Sequence, residues 1–406
     1  MAELTIALFI LASVIAMVIG ARSLPFLLPW LLAGVALRVG LFLLGYFEIW
    51  YAPGARADGA RFIRVAETYS QLPWPELFAL FDYRSGFSYS ILGAVLFKLL
   101  GYDWWLMPAA NILLGSINVL LGALIAYRLW GPRAALIATA IMALYPFAAF
   151  NSVVALREEL SILFFMVGLY VLLGWLQRGS LASFLGAIVF FVMASFIHPG
   201  WIAAPVGLIL AVLFIQIRRA FAAPRSDTMS PLRAFTAVTV MVAVLIPLLV
   251  GGVHLGKGIV LTADVDELSE VLEGRFQRAP IGGSAYPDII ARGDPISQPW
   301  LIPARIVYFL YSPFPWDIRS AIHLTGLIAS LMYLFLTVRT WQARGALTEN
   351  ERTLALVFML AALIFVFSMG VTNIGTAIRH KTKLFFLFVI IAAPALKRTI
   401  QLRRND

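Results

Sequence analysis

Cysteine is absent from the 406 residues. Thiolate catalysis, Cys-ligated zinc, iron–sulfur clusters and disulfide staples are therefore all excluded. Charge is almost as scarce: Asp, Glu, Lys and Arg make up 13% of the chain, about half the roughly 25% of a soluble domain. The four histidines, His198, His254, His323 and His380, are too scattered for an H-E-x-x-H zinc pair. No G-x-x-x-x-G-K-[ST] loop and no G-x-S-x-G elbow occur, so ATP-driven work and serine hydrolysis lack a local signature. What is abundant is apolar: 61% of residues are hydrophobic and the mean hydropathy is +0.90. Such a chain is neither disordered nor a soluble globule; it belongs in a bilayer.

A hydrocarbon core about 30 Å thick takes roughly 20 apolar helical residues to cross. Eleven stretches reach or approach that length, at about 4–21, 24–46, 104–127, 133–150, 156–176, 181–197, 200–217, 234–253, 320–340, 353–372 and 383–397. The expected fold class is therefore all-α, a polytopic integral membrane protein forming a single membrane domain over 1–406. The first run opens Met-Ala-Glu without a basic residue and is followed by a second span after Arg22, so it reads as a retained helix and not as a signal peptide. The segment 87–101 is too short for a twelfth span, and reads as an amphipathic helix in the outer interface.

The formal charge of +10 raises the question of nucleic acid, and the distribution of cations answers it. With the N-terminus outside and the C-terminus inside, the inner loops collect fifteen of the Lys and Arg residues, from Arg22 to Arg404, and only Asp227, Glu349, Glu351 and Asp406 among the acids. The outer side is then close to neutral. The excess is an orientation signal of the positive-inside kind, and no nucleic-acid partner is expected.

Two outer segments, 47–103 and 254–319, are too long to be simple connectors, and chemistry is expected in them. In the first, "RADGARFIRVAET" sets Asp58 among Arg56, Arg61, Arg64 and Glu67. Helical spacing would put Asp58, Arg61 and Phe62 on one face. A carboxylate beside guanidinium groups suits a general base next to a phosphate clamp; the same letters also suit an N-capping Asp on a charge-balanced interfacial helix. Arg84 is a further cation of this loop. At "LREEL", Arg157, Glu158 and Glu159 stand at the outer start of a span, where acids favour the helix dipole and where three ionisable groups call for a watery cavity or partners. His198 falls in a tight turn before Pro199. Arg379, His380, Lys381 and Lys383 form a cluster expected in a short outer loop, against the charge bias, as an anionic lipid phosphate or simple headgroup contact would require. Arg38, Arg305 and Arg319 are further outer-side cations, and Trp300, Tyr311, Phe314 and Trp316 suit either a sugar or the interfacial aromatic belt.

In order and in letters the chain resembles the GT-C glycosyltransferases, polytopic enzymes that take a sugar from a polyprenyl-phosphate carrier on the outer side of the membrane. An early outer loop with an acid is followed by an out-in, in-out pair around "RLWGPRAAL", a polar "LREEL" atop the next span and a late "GTAIRHK". Asp58, Arg61 and Phe62 match the acid, basic and aromatic residues in the first loop of aminoarabinose transferases and protein mannosyltransferases. The resemblance implies that Asp58, with Glu158 and Glu159 as further catalytic candidates, deprotonates an acceptor hydroxyl. Arg61, Arg64, Arg84, Arg157, His198, Arg305, Arg379, His380 and Lys381 are then the substrate-binding candidates. Gly59 follows Asp58 where many members have a second acid, which points to a base mechanism without metal ligands, although carboxylates also suit Mg or Mn. The lack of a large soluble C-terminal domain argues against the oligosaccharide-to-asparagine branch. "FLYSPFPW" and "RHK" are also similar to segments of bacterial polysaccharide polymerases.

Three functions are expected on these grounds. The first is transfer of one sugar from a polyprenyl-phosphate lipid to an envelope glycan or lipid acceptor. The second is polymerisation or ligation of polyprenyl-pyrophosphate-linked oligosaccharide, and the third is transport of a lipid-linked sugar. The family likeness implies a bacterial plasma (inner) membrane with the site facing the periplasm.

Overall fold

The computed structural model describes residues 2–81, 87–221, 230–250, 253–256, 259–261, 284–291, 298–319 and 321–402. Helices carry the fold; among the described residues the one sheet is a two-stranded antiparallel ribbon, Val253–Gly256 with Ile259–Leu261. Ten of the eleven apolar stretches fall on one main helix each, and the stretch 133–150 forms two. Seven of these helices are long and apolar enough to cross a membrane, and an eighth crossing results if a bent pair counts as one. The helices Leu181–Ile197 and Pro231–Pro247 fall just short of that length. The chain forms two compact units, one from Met1–Tyr170 with Val192–His198, the other from Val171–Phe191 with Pro199–Asp406.

In the first unit the helices are α1 (Ala2–Gly20), α2 (Leu28–Tyr46), α3 (Ala60–Ser70), α4 (Trp74–Ala79), α5 (Ser88–Leu100), α6 (Leu106–Trp130), α7 (Pro132–Leu144), α8 (Pro146–Ser152) and α9 (Glu158–Arg178), which leaves the unit after Tyr170. α6 is the central element: α1, α2, α7 and α8 all pack on it. On α1, Leu4, Leu8, Leu11, Ile15 and Val18 recur at spacings of three and four and stay exposed. A stripe of that kind is stable only against hydrocarbon.

The stretch expected as one continuous span, 133–150, is broken. Pro146 has no N–H to donate and confines Tyr145 to extended backbone, at φ −66° and ψ 116°. The chain therefore bends by 58° between α7 and α8. The expected interfacial segment is the 13-residue helix α5, which packs along α3 and buries Ile91, Ala94 and Phe97. Lys98 near its end donates to Ser70 O at 2.9 Å and Leu72 O at 2.7 Å, closing the C-terminus of α3.

Close packing on α6 depends on Gly115. A Cβ there would stand against the Ser152 hydroxyl and 3.0 Å from Glu159 Oε2. Gly115→Ala is thus expected to destabilise the protein by about 1–3 kcal/mol, as overpacking does. Thermal unfolding in detergent checks it, and a variant as stable as the parent would show that the neighbours yield freely.

In the second unit the helix Ala203–Ala220 packs on Glu351–Met369, and Ala321–Gln342 packs on Ile374–Leu402. Leu301–Tyr311 lies against both of these pairs through Glu351–Met369 and Ala321–Gln342. Between Leu384 and Ala393 the last helix is buried on every side. On the loop side of this unit Arg219 pairs with Glu351 at 2.5 Å.

Candidate active site

The sequence around Asp58 folds as a π-helical turn, Ala55–Gly59, ahead of α3. It is entered through Gly54, whose φ of +89° favours glycine, and closed by Gly59 N–H donating to Gly54 O at 3.0 Å. Gly59 itself is the N-cap of α3 and no side chain caps that helix, so Asp58 is not spent as a cap. Its side chain is exposed. Gly59 is needed for a second reason: a Cβ would come within 2.7 Å of Val154 Cγ1. The turn that carries Asp58 therefore rests directly on the irregular segment after α8.

Around the turn, Arg56 lies over the Tyr51 ring at 3.9 Å and Arg61 over the Phe87 ring at 5.0 Å. Phe62 packs edge-on against Phe87 and Tyr89. Arg61 and Arg64 are exposed on α3. A small cleft beside the turn is lined by Tyr51, Arg56, Ile63, Trp104, Trp105, Val154 and Ala155. Asp58 is thus exposed on the turn and Arg61 and Arg64 on the helix that follows it, while Phe62, expected on one face with Asp58 and Arg61, packs inward on Phe87 and Tyr89. Arg84 lies outside the described residues.

Glu158 and Glu159, for which a watery cavity or partners were expected, are buried in the first turn of α9, each 1% exposed, and Glu159 has partners. Asn118 Nδ2 donates to Glu159 O at 3.0 Å and Oε2 at 2.9 Å. Ser152, whose Oγ accepts from Arg38 Nε at 3.1 Å, also hydrogen-bonds Glu159. Arg38 is fully buried, and further donates from Nη1 to Gly34 O at 3.0 Å and Ala143 O at 3.2 Å. Its charge and that of Glu159 attract one another. Beside them Asn111 Nδ2 donates to Val154 O at 2.6 Å and Leu156 O at 2.9 Å, while its Oδ1 accepts from Tyr89. Burial pushes the pKa of the Tyr89 hydroxyl up, so it remains a neutral donor. Arg157 is half-buried and reaches Ile197 O at 3.4 Å. His198, at the end of Leu181–Ile197, is buried as well.

Asn111, Asn118 and Tyr89 are not among the candidates that the sequence offers as carriers of charge or chemistry. A signal is nonetheless present: Asn111, Gly115 and Asn118 are spaced four and three apart in an otherwise apolar run, which puts all three on one face of α6.

In the second unit "RHK" is not a loop. Asn373 Oδ1 accepts from Gly375 N–H at 2.9 Å and Thr376 N–H at 3.3 Å, which caps the last helix and starts it at Ile374, well before the apolar run. Arg379 and His380 are half-buried on its early turns. His380 meets the Phe367 ring edge-on. Lys381 is fully buried, and its Nζ donates to Leu310 O at 3.1 Å and Ser312 O at 2.9 Å. Arg305 is buried too, donating to Met369 O at 3.4 Å and Ala291 O at 3.3 Å. Lys381 thereby braces the corner "FLYSPFPW", where Phe314 and Trp316 stack at 4.8 Å and Trp316 is 70% exposed. Close by, Tyr286 is buried and desolvation pushes its pKa up.

The bonding of Lys381 leads to a test. Lys381→Met is expected to cost about 1.5–3 kcal/mol, the worth of charge-assisted hydrogen bonds. Thermal unfolding in detergent measures it, and a variant as stable as the parent would show that the Leu310 and Ser312 carbonyls do not depend on Lys381.

Among the described residues no group of three or more His, Asp or Glu side chains stands close enough to hold a metal ion. No protein-family profile matches the sequence, and no curated protein matches it. Among solved structures the chain is similar to ArnT from Cupriavidus metallidurans, crystallised with undecaprenyl phosphate bound. The TM-score is 0.51 at 16% identity, covering 91% of this chain and 60% of that one. The likeness is one of fold, a helical membrane architecture. The chain spans about 60% of the length of the neighbour it matches.

Proposed function

We propose that the chain is a GT-C-type membrane glycosyltransferase that moves a sugar from a polyprenyl-phosphate carrier to an envelope glycan or lipid acceptor, at the outer face of a bacterial inner membrane. The observation that carries this reading is the fold shared over 91% of the chain with a protein solved around undecaprenyl phosphate. It is supported by Asp58, exposed on a turn whose Arg56 lines a small cleft, with Arg61 and Arg64 exposed on the helix that follows.

In the proposed reaction Asp58 takes the proton of an acceptor hydroxyl. The hydroxyl oxygen attacks the anomeric carbon, and the bond from that carbon to the phosphate oxygen breaks, its electron pair leaving with the lipid phosphate. The sugar passes through an oxocarbenium-like state, and the charge that develops on the departing phosphate is offset by Arg61 and Arg64, whose guanidinium forks match phosphate oxygens. Arg379 and His380, described separately in the second unit, are proposed as further cations for the carrier headgroup. A lipid phosphate cannot leave the membrane, which is why such a base belongs on a turn between apolar spans.

The test is to purify the protein in detergent, identify by native mass spectrometry the lipid that stays bound, and incubate the complex with acceptor. Consumption of a polyprenyl-phosphate sugar is the expected result. Growth of a pyrophosphate-linked oligosaccharide into a ladder would replace the reading with a polymerase, and a bound carrier left unchanged would replace it with transport.

A further inference from the structure

The deepest charge in the first unit has no place in the reaction just described. Arg38 is buried in α2, yet its hydrogen bonds leave that helix: Nη1 reaches Ala143 O in the last turn of α7, and Nε reaches the hydroxyl of Ser152, the last residue of α8. These two acceptors lie on either side of the 58° bend at Tyr145. A bend between two short helices has no internal hydrogen bond across it to keep its angle, so the guanidinium supplies one from outside.

Beyond α8 the chain runs through the segment 153–157, which has no regular structure of its own before α9 begins. It is held from the α6 side by Asn111, through Val154 O and Leu156 O. It is also the surface on which the Asp58 turn sits, because a Cβ on Gly59 would come within 2.7 Å of Val154 Cγ1. The chain of contacts therefore runs from Arg38 to Ser152, along two residues to Val154, and from Val154 to the turn of Asp58.

We propose that Arg38 is a positioning residue for Asp58, which it reaches through Ser152 and the segment 153–155. Glu159 holds Ser152 through a further hydrogen bond, and Asn111 holds Val154 and Leu156 from the α6 side. Loss of the brace lets the segment shift, and the turn shifts with it. The catalytic consequence rests on Asp58 being the base; the mechanical one does not. A base misplaced by about 1 Å loses up to roughly 10² in rate, and the loss falls on kcat and spares the KM of the carrier, because no contact to the lipid is removed.

The absence of cysteine makes a direct test available. Ala57→Cys, at an exposed position beside Asp58, gives one attachment point for a nitroxide, and continuous-wave EPR of the purified full chain reports the motion of the turn. Arg38→Met is expected to raise label mobility at 57, and in the unlabelled Cys-free chain to lower kcat by roughly 10²-fold with the carrier KM changed far less. Ser152→Ala, which removes one acceptor and leaves the charges in place, is expected to act in the same direction, and it decides the question if Arg38→Met fails to fold. Thr139→Val, which deletes a buried hydroxyl of α7 bonded only to Ala135 O, should leave mobility and kcat alone. Unchanged mobility in both brace variants, or an equal rise in Thr139→Val, overturns the proposal. A rise in mobility in a protein that transfers no sugar would leave the brace standing and remove the transferase reading instead.

Discussion

Asp58→Asn is expected to lower turnover by roughly 10²–10⁴-fold, the usual contribution of a positioned general base, while the purified protein keeps its carrier lipid. Asparagine has the same shape and cannot take up the acceptor proton. The side chain is exposed, it caps no helix, and the turn is closed by Gly59 N–H on Gly54 O. Stability should therefore stay within about 0.5 kcal/mol, as for surface substitutions generally. The measurement is single-turnover consumption of the carrier-linked sugar, with native mass spectrometry for bound lipid and thermal unfolding as controls. A well-folded Asp58→Asn protein that turns over at the parent rate would remove Asp58 from the mechanism, and attention would pass to the buried Glu158 and Glu159.

The second large effect concerns stability. Glu159→Leu is expected to cost about 3 kcal/mol, the low end for a buried pair broken on one side. The low end applies because Ser152 lies between the carboxylate and the guanidinium and keeps one hydrogen bond to Arg38. Without the carboxylate, Arg38 remains fully buried with its charge uncompensated, and Asn118 loses an acceptor. Replacing both partners, Arg38→Met with Glu159→Leu, is expected to recover most of the loss, since a buried pair exchanged for apolar side chains of similar volume is often close to neutral. A double-mutant cycle read by thermal unfolding in detergent measures the coupling. Additive single effects would show that the two charges do not sense one another.

The parts of the fold that are legible in the sequence are those governed by the length of an apolar run. All eleven stretches are helical, the one at 133–150 as two helices, because a backbone in hydrocarbon must satisfy its own hydrogen bonds. Local punctuation is legible as well, though counting apolar residues passes over it at Pro146, where the letters "LYPF" already forbid a straight span. The cap at Asn373 is a similar case: hydropathy starts the last helix at 383, whereas the side-chain amide starts it at Ile374 and carries "RHK" into the helix. For the candidate site, Asp58, Arg61 and Arg64 emerge from spacing alone because they are neighbours in the chain.

Burial is not legible, and the reason lies in sequence distance. Whether Glu159 faces water or the core depends on Asn118, Ser152 and Arg38, which stand 41, 7 and 121 positions away in the chain. The same holds for Lys381, whose acceptors Leu310 and Ser312 lie about seventy residues earlier. Nothing in "LREEL" or "RHKTK" encodes those partners. By itself the sequence determined that this is a helical membrane protein without cysteine chemistry, with an acid and several cations close together in the chain, since these properties rest on composition, periodicity and local spacing. Only the tertiary structure decided which charges remain available to a ligand and which are spent inside the protein, because that choice is made by side chains that meet only after the helices have packed.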